Sequence, residues 1–548
     1  MTINRFALLV FFGLFGLCLQ LNAQLSTREV PVGFKYDFGK EIIPIIVMPA
    51  IDTIKLQEED KIEEELGIPP RFGYKHSVNI NLTEVGVWHT LENGDKLCQL
   101  IIACPGALSI NLLYDKFWLP DGAKLFIYNK NKRHHIGAFT KFNNKGTRDA
   151  VEGFATGLVY GDAIVLEYFL PKGYKEEGII SISGVVHGYR YIMPEHFKYG
   201  YGNVPGNNQF MGYNRSGSCN ININCSQGSN WQNEKRAVAL IVVNGNRNCT
   251  GSLINNTNND YHPFFLTAAH CLGGFDANAT LNHWTFYWHY ESPTCVNTAE
   301  PMAFSTSGAK ILANSPYGVG NAGSDFALLE LIEDPVYLIN YTPSFTPYYL
   351  GWDRTGNSGS SGVGIHHPRG DIKKICLTSE IVNQSTQITI SGQVCLPNTH
   401  WRVVWNAGTT EGGSSGSALI NNNRHIIGQL HGGSASCSNP NGPDYYGKFN
   451  VSWIGGGTNT TQLSNWLHQS NTTAPNTLNG ISFNCPSITV TGTQPPPPQT
   501  TRRVACRNIT LQNAIVPNNV KLELAPSGSV VINPTTVIQS GATFIIVR

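Results

Sequence analysis

Charge is scarce in this 548-residue chain: Asp, Glu, Lys and Arg make up 14% of it and the formal net charge is +1. No basic stripe with interleaved aromatics occurs, which argues against a nucleic-acid partner. None of the thirteen cysteines forms a CxxC pair, so the common structural-zinc spacing is missing and neither a metal nor another cofactor is expected. Long apolar runs are confined to Phe6–Leu19. Nothing later is long and apolar enough to span a bilayer as a helix.

What is present points outward from the cell. Arg5, the apolar run and the small Ala23 read as a cleaved secretory signal over residues 1–23. Cys18 falls inside it, leaving twelve cysteines, an even number that suits a disulfide set in an oxidising compartment. Polarity is carried by Asn, Ser, Thr and Gly, and aromatics reach 10% among many short alternating apolar runs. These features predict a secreted, mostly β protein, and the length predicts two or three domains.

Residues 24–215 form a first region. Its acidic stretch Lys55–Leu66 reads as helical or mobile, stopped by Pro69-Pro70. Strand patterns follow over Val85-Gly86-Val87-Trp88, Leu97–Ile102, Ala107–Leu113, Lys124–Tyr128 and Ala163–Phe169, separated by turns such as Asn93-Gly94-Asp95. A β-sandwich is expected, with Cys98 and Cys104 close enough in sequence to pair. Tyr199–Gly212 reads as an exposed linker. Residues 216–480 form the second region, with a closing helix expected around Ser464–Ser470. A Pro-rich linker over 481–503 precedes a small β-rich module at 504–548, possessing short recurring strands that suit a stacked arrangement.

Three segments in the second region carry chemistry. They are Phe264-Phe265-Leu266-Thr267-Ala268-Ala269-His270-Cys271, Gly323-Ser324-Asp325-Phe326-Ala327-Leu328-Leu329-Glu330-Leu331, and Thr409-Thr410-Glu411-Gly412-Gly413-Ser414-Ser415-Gly416-Ser417. Alone, each has a bland reading: a strand-end histidine, a turn aspartate and a Gly/Ser loop. In this order, with these neighbours, they resemble the histidine, aspartate and nucleophile segments of trypsin-like serine proteases. The resemblance is closer still to bacterial lysyl endopeptidases, through Cys249-Thr250-Gly251-Ser252-Leu253, Gly351-Trp352-Asp353-Arg354, Ile365-His366-His367-Pro368, Gly428-Gln429-Leu430-His431-Gly432-Gly433 and Asp444-Tyr445-Tyr446-Gly447.

The resemblance implies an all-β, double-barrel protease domain, made as a zymogen behind a proregion that aids folding and inhibits. It implies a triad of His270, Asp325 and Ser415. Ser415 Oγ is a poor nucleophile until a base takes its proton, and an imidazole titrates near the working pH. Asp325 would hold the ring, while the Gly413 and Ser415 N–H groups would form the oxyanion hole. Asp444 is implied as the floor of a pocket for a substrate lysine, Gly432 and Gly433 as its open wall, and His431 as a modulator beside the triad. The implied disulfides are Cys219–Cys437, Cys225–Cys295 and Cys249–Cys271. Nearness and parity add Cys376–Cys395 and Cys485–Cys506.

Two departures stand out. The family places a tryptophan shortly before the Thr399-His400 pair, to stack on the residue matching His431; here that stretch is Ser391-Gly392-Gln393-Val394-Cys395, and the nearest tryptophan is Trp401. Directly before the nucleophile stands Ser414 rather than an aspartate, so an inserted N-terminal ammonium has no carboxylate there. Maturation near Asn214–Ser216, with Lys198 and Arg215 as candidate cuts, would then act by unblocking the site or completing folding.

A lysine count bears on specificity independently. Residues 24–213 contain 15 lysines, whereas 214–480 contain five: Lys235, Lys310, Lys373, Lys374 and Lys448. Seven arginines remain in the second span, so basic residues as a class were not lost. The expectation is an extracellular serine endopeptidase that cuts proteins and peptides after lysine through an acyl-enzyme. The alternatives are a preference for arginine or for both basic residues, or a broader one, and a silent protease-fold binding protein.

Overall fold

A computed structural model describes residues 29–36, 42–66, 68–174, 177–190, 216–273, 279–297, 303–315, 323–340, 345–484, 487–494, 501–505, 508–526 and 529–546. The expected signal segment, the linker at Tyr199–Gly212, the proline run at 495–498 and the Cys485–Cys506 pair lie outside them, whereas most of the expected Pro-rich linker is described and carries the strands Ile488–Thr493 and Thr501–Ala505. No helix among the described residues is long and apolar enough to cross a membrane.

The first region is two facing sheets. One runs Ile45–Val47, Lys96–Ala103, Ala163–Leu170, Lys124–Asn129, His135–Phe139, with Val87–Thr90 also on Lys96–Ala103; the other runs Phe154–Ala155, Ser109–Trp118, Ile179–Gly188, Gly73–Asn81, with Val159–Tyr160 also on Ser109–Trp118. Leu100, Ile102, Leu112, Tyr114, Phe117, Leu125, Ile164 and Leu166 fill the space between them. The alternate residues Ile101, Phe126, Tyr128 and Val165 are buried too, under Val32 and Phe34. That second cover explains why these strands read as nearly continuous apolar runs rather than clean alternation. Val85 belongs to a short helix, Leu82–Val85, capped by the Asn81 side chain, and the strand begins only at Val87. The acidic stretch is a helix, Thr53–Glu65, whose first turn is held by the Asp52 carboxylate accepting from the N–H groups of Ile54 and Lys55.

The second region is built on two antiparallel-dominated, curled sheets in the manner of a trypsin-like double barrel. The first runs Phe304–Ser307, Thr285–Trp288, Val238–Val243, Arg247–Leu253, Phe264–Ala268, Phe326–Leu331, Ala309–Asn314. The second takes in Ile221–Asn222, Lys374–Thr378, Gly362–His366, Ala418–Asn421, His425–Gly433, Asp444–Lys448, His400–Val403 and Ile381–Asn383, with Gly351–Asp353 and Thr477–Leu478 at its side. One apolar core spans both, from Phe265, Phe286 and Leu328 to Ile365, Ile420 and Phe449. A short helix, Ser464–Leu467, closes the region.

Beyond it the strands pair in parallel. Ile488 faces Ile509, which faces Val530, and Thr501 faces Leu522, so the chain stacks on itself with a period of 21 residues. This coil docks on the protease region through a buried arginine, Arg502. Its guanidinium meets Glu523 Oε1 at 2.8 Å, the Tyr261 carbonyl at 2.6 Å and the Asp334 carboxylate.

Three disulfides are present among the described residues, Cys219–Cys437, Cys225–Cys295 and Cys249–Cys271. Cys98, Cys104, Cys376 and Cys395, expected to pair, are buried free thiols instead. Cys98 lies in an extended strand whose last residue, Ala103, directly precedes Cys104. Six residues along such a strand cover roughly 20 Å, beyond the reach of a disulfide. Cys376 Sγ faces the Gly364 carbonyl, whereas Cys395 Sγ faces the His431 ring. Alkylation of the denatured, unreduced chain should label these four thiols; recovery of a Cys376–Cys395 peptide would contradict the arrangement.

Candidate active site

The site lies where the two sheets meet. The strand Phe264–Ala268 runs into a tight 3-10 turn, Ala269–Leu272, that carries His270. The Cys249–Cys271 disulfide ties that turn to the neighbouring strand Arg247–Leu253. Asp325 immediately precedes the strand Phe326–Leu331 and sits at φ 56°, a left-handed conformation that aspartate tolerates better than most residues. Its carboxylate is buried and accepts twice from one residue: Oδ2 from His270 Nδ1 at 2.7 Å and Oδ1 from the His270 backbone N–H at 2.9 Å. Burial alone would push this carboxyl up; the adjacent His431 and His270 rings and the two hydrogen bonds from His270 outweigh it, and the net shift is downward. With Nδ1 donating to Asp325, the His270 Nε2 lone pair is left free for a proton.

The Asp325 loop rests on the opposite sheet. Gln429 Nε2 donates to the Ser324 carbonyl, and the Ser324 and Ser452 hydroxyls are 2.8 Å apart. A Cβ on Gly447 would come within 1.6 Å of the Ser324 carbonyl oxygen, so the strand Asp444–Lys448 can pass beneath this loop only with glycine there.

Ser415 comes from the loop ahead of the strand Ala418–Asn421. Thr250 fixes that loop. Its N–H donates to the Ser415 carbonyl at 2.9 Å, and its hydroxyl donates to the Gly413 carbonyl at 2.8 Å while accepting from the His367 N–H at 3.1 Å. Gly413 has φ 93°, which aims its carbonyl at Thr250 and leaves its N–H free of partners among the described residues. The Ser415 hydroxyl makes no hydrogen bond to His270 among the described contacts, a distance that commonly closes only when substrate binds. Ser414 is held by His366, with Nδ1 and Oγ 2.8 Å apart. At the start of the protease region, Ser216 and Gly217 donate instead to Asp371 and Glu411.

A cavity of about 560 Å³ opens beside Ser415, lined by Thr410, Gly432, Gly433, Pro443 and Asp444. Asp444 is 1% exposed. Its Oδ2 accepts from Thr410 Oγ1 and Trp405 Nε1, both at 2.6 Å. Burial pushes its carboxyl up, partly offset by those two donors. Trp405 was not singled out from sequence, and Thr250 and Thr410 appeared there only as parts of motifs. A buried partner on a distant strand leaves no local pattern to read.

His431 packs against the triad. Its ring stacks on His270 with centroids 5.8 Å apart at 22°, and its Nε2 lies 3.9 Å from Asp325 Oδ2. Trp401 does not take the family tryptophan's place: its indole donates to the Ile427 carbonyl at 2.9 Å, beneath the Lys448 ammonium. His400 and Cys395 contact His431 instead, with His400 Nε2 3.1 Å and Cys395 Sγ 3.7 Å from its Nδ1.

The far wall of the cavity comes from the first region, through Glu64, Glu65, Ile68, Pro69 and Pro70. This segment adds to the edge of the first barrel: Asn248 N–H donates to the Pro70 carbonyl at 3.0 Å and Phe72 N–H to the Asn246 carbonyl at 2.9 Å. Arg247 pairs with Glu63 at 2.9 Å.

Among known proteins, the model of the lysyl endopeptidase C-terminal domain family matches residues 213–447. A lysyl endopeptidase of Pseudomonas aeruginosa is 31% identical over 387 residues, covering 66% of this chain and 74% of that protein. Of solved structures, a Glu endopeptidase in complex with MPD is 20% identical, covering 39% of this chain and 85% of that one, with a TM-score of 0.25. A thermostable serine protease, AL20, from an extremophilic microorganism is 12% identical over 39% of this chain and 91% of that one, with a TM-score of 0.27.

Thr250→Val keeps the shape of the side chain and strands the Gly413 carbonyl, at a cost of about 1–3 kcal/mol. Expressed as a loss of oxyanion alignment, this predicts a fall of roughly ten- to a hundredfold in kcat with KM little changed. Steady-state kinetics on a peptide amide would test it, and an unchanged kcat would remove Thr250 from its positioning role.

Proposed function

This chain belongs to the lysyl endopeptidase family, and from that premise we propose that it is a secreted serine endopeptidase cleaving on the carboxyl side of lysine through an acyl-enzyme. Its protease fold and endopeptidase class follow from the family. The lysine preference and the residue roles are our reading of the site.

In this reading His270 Nε2 takes the Ser415 proton as Oγ attacks the scissile carbonyl. Asp325 holds the ring in the required tautomer and stabilises the imidazolium that forms. The Gly413 and Ser415 N–H groups receive the oxyanion, and removal of one such donor typically costs about 3–4 kcal/mol. His270 then protonates the leaving amine, and water hydrolyses the ester by the same route.

The observation that carries the lysine reading is the buried Asp444 carboxylate in the cavity beside Ser415. Its Oδ2 is engaged by two neutral donors, so no cation of the described chain neutralises it. A compact ammonium suits a single carboxylate, whereas a guanidinium seeks a fork of acceptors. Gly432 and Gly433 leave room for a long side chain; a Cβ on Gly433 would come 2.3 Å from Asp444 Oδ1. Self-protection adds independent support. Of the five lysines in the protease region, Lys373, Lys374 and Lys448 are buried, Lys235 is half-buried against Glu291, and Lys310 alone is exposed.

Residues 24–215 act as the proregion, and Glu64, Glu65, Ile68, Pro69 and Pro70 are its inhibitory contacts, lining the cavity beside the nucleophile loop. A serine-directed fluorophosphonate should label the mature enzyme at Ser415, and N-terminal sequencing should place its start near residue 216. Full activity in a chain beginning at Gln24 would end the proregion reading; absence of the label would end the triad reading.

Asp444→Asn should lower kcat/KM for lysyl bonds by about a hundredfold or more, the scale of losing one partner of a buried charge pair, while leaving the Ser415 label nearly intact. The raised carboxyl also sets a pH dependence. Inhibition by n-butylamine, a stand-in for the lysine side chain, should weaken as pH falls, starting above the range of an ordinary aspartate because protonation begins earlier. Asp444→Asn should abolish that dependence. Equal cleavage after arginine and lysine by the wild-type enzyme would overturn the specificity.

A further inference from the structure

Behind the triad, three side chains from separate strands converge where the sequence shows no metal-ligand spacing. Cys395 ends the strand Gln393–Cys395, His400 begins His400–Val403, and His431 lies within His425–Gly433. They are 3%, 0% and 5% exposed, and Cys395 Sγ and one nitrogen of each ring lie within 4.8 Å of one another. His400 Nε2 is 3.1 Å from His431 Nδ1, and Cys395 Sγ is 3.7 Å from the same nitrogen. Tetrahedral bonds of about 2.0–2.1 Å to nitrogen and 2.3 Å to sulfur put ligand atoms about 3.3 Å apart for N···N and 3.6 Å for S···N. The two separations to His431 Nδ1 already match these values, and the third, between Cys395 and His400, lies within the 4.8 Å bound.

The surroundings orient both rings for this role. The Thr399 hydroxyl donates to the Leu396 carbonyl at 2.7 Å, so its oxygen accepts from His400 Nδ1–H at 2.8 Å. That fixes the tautomer and turns the Nε2 lone pair toward His431 and Cys395. The second nitrogen of His431 faces the Asp325 carboxylate, 3.9 Å away. Metal-bound histidines characteristically give their other N–H to a hydroxyl, carbonyl or carboxylate, and here both rings have such a group. Sγ has only a weak second contact, the Gln393 carbonyl at 3.9 Å. The ion has a way in, because His431 also lines the cavity beside Ser415.

We propose that Cys395, His400 and His431 form a binding site for a thiophilic divalent cation of the zinc class, and that loading it inhibits the peptidase. On loading, the thiol releases its proton to solvent as the sulfur–metal bond forms, and two nitrogen–metal bonds form on His400 Nε2 and His431 Nδ1. The His431 ring exchanges its Nδ1 proton for one on Nε2, and no electrons change hands. That N–H then points at Asp325 Oδ2, the oxygen that holds His270, and competes for it. Three protein ligands leave a fourth position open toward the cleft. The inhibitory arm rests on Asp325 serving the triad, while the binding arm stands without it.

The test uses cobalt(II) as a spectroscopic probe and zinc(II) as a competitor on the full chain with thiols kept reduced. One equivalent of cobalt should produce a thiolate-to-cobalt charge-transfer band in the near ultraviolet with intense tetrahedral bands in the visible, all displaced by zinc. Cys395→Ser should abolish the thiolate band. Thr399→Val, which keeps all three ligands, should weaken zinc binding about 10- to 100-fold, and decides the matter should the serine variant fold poorly. In the mature enzyme, zinc should inhibit peptide hydrolysis, and Cys395→Ser should raise the inhibitory concentration at least tenfold. No thiolate band at one equivalent, or a band that survives Cys395→Ser, overturns the site. A band without inhibition overturns the coupling and keeps the site. A fluorophosphonate label that fails on metal-free enzyme counts against the triad reading and leaves the cation site intact.

Discussion

The buried carboxylate of Asp325 is the constraint around which the protease region is organised. It binds one residue at two points, the ring and the backbone N–H of His270, so the imidazole cannot swing without its own turn moving. Such a grip demands a backbone that most residues resist, and the left-handed conformation of Asp325 persists because packing over-determines it. Gln429 and Ser452 hold the residue before it, and Gly447 lets the second barrel approach to contact distance. The strand that carries Asp444 thus also supports Asp325, linking the cavity beside Ser415 to the Asp325–His270 pair through one element.

Thr250 performs the matching task for the nucleophile. One threonine on the first barrel satisfies the Gly413 and Ser415 carbonyls of a loop carried by the second. The two halves are therefore joined at the site by directed hydrogen bonds as well as by the shared apolar core. The first region adds to that first barrel by backbone pairing at Pro70 and Phe72, and Arg247 fixes the approach by pairing with Glu63 and donating to the Pro69 carbonyl. The cavity is consequently bounded on one side by residues of the first region.

The three segments that resemble the protease motifs were readable because each is local: a strand into a histidine turn, an aspartate into a strand, a glycine-rich loop around a serine. The sandwich strands were readable for the same reason, although Val85 proved helical once the Asn81 side chain capped it. The thiols misled. Parity and nearness in sequence paired Cys98 with Cys104 and Cys376 with Cys395, but an extended strand carries near neighbours apart, and Cys395 sits on a separate hairpin, Ile388–Ile390 with Gln393–Cys395, outside the sheet that holds Cys376.

By itself the sequence determined the β-rich class, the family resemblance and the carboxylates at positions 325 and 444, since these depend on composition and short-range order. Only the tertiary structure decided which donors surround that carboxylate, that Trp401 faces away from His431, and that Cys395, His400 and His431 meet behind the triad. Those contacts join strands whose separation along the chain bears no relation to their separation in space. Pairing register and burial set them, and both are properties of the assembled barrel.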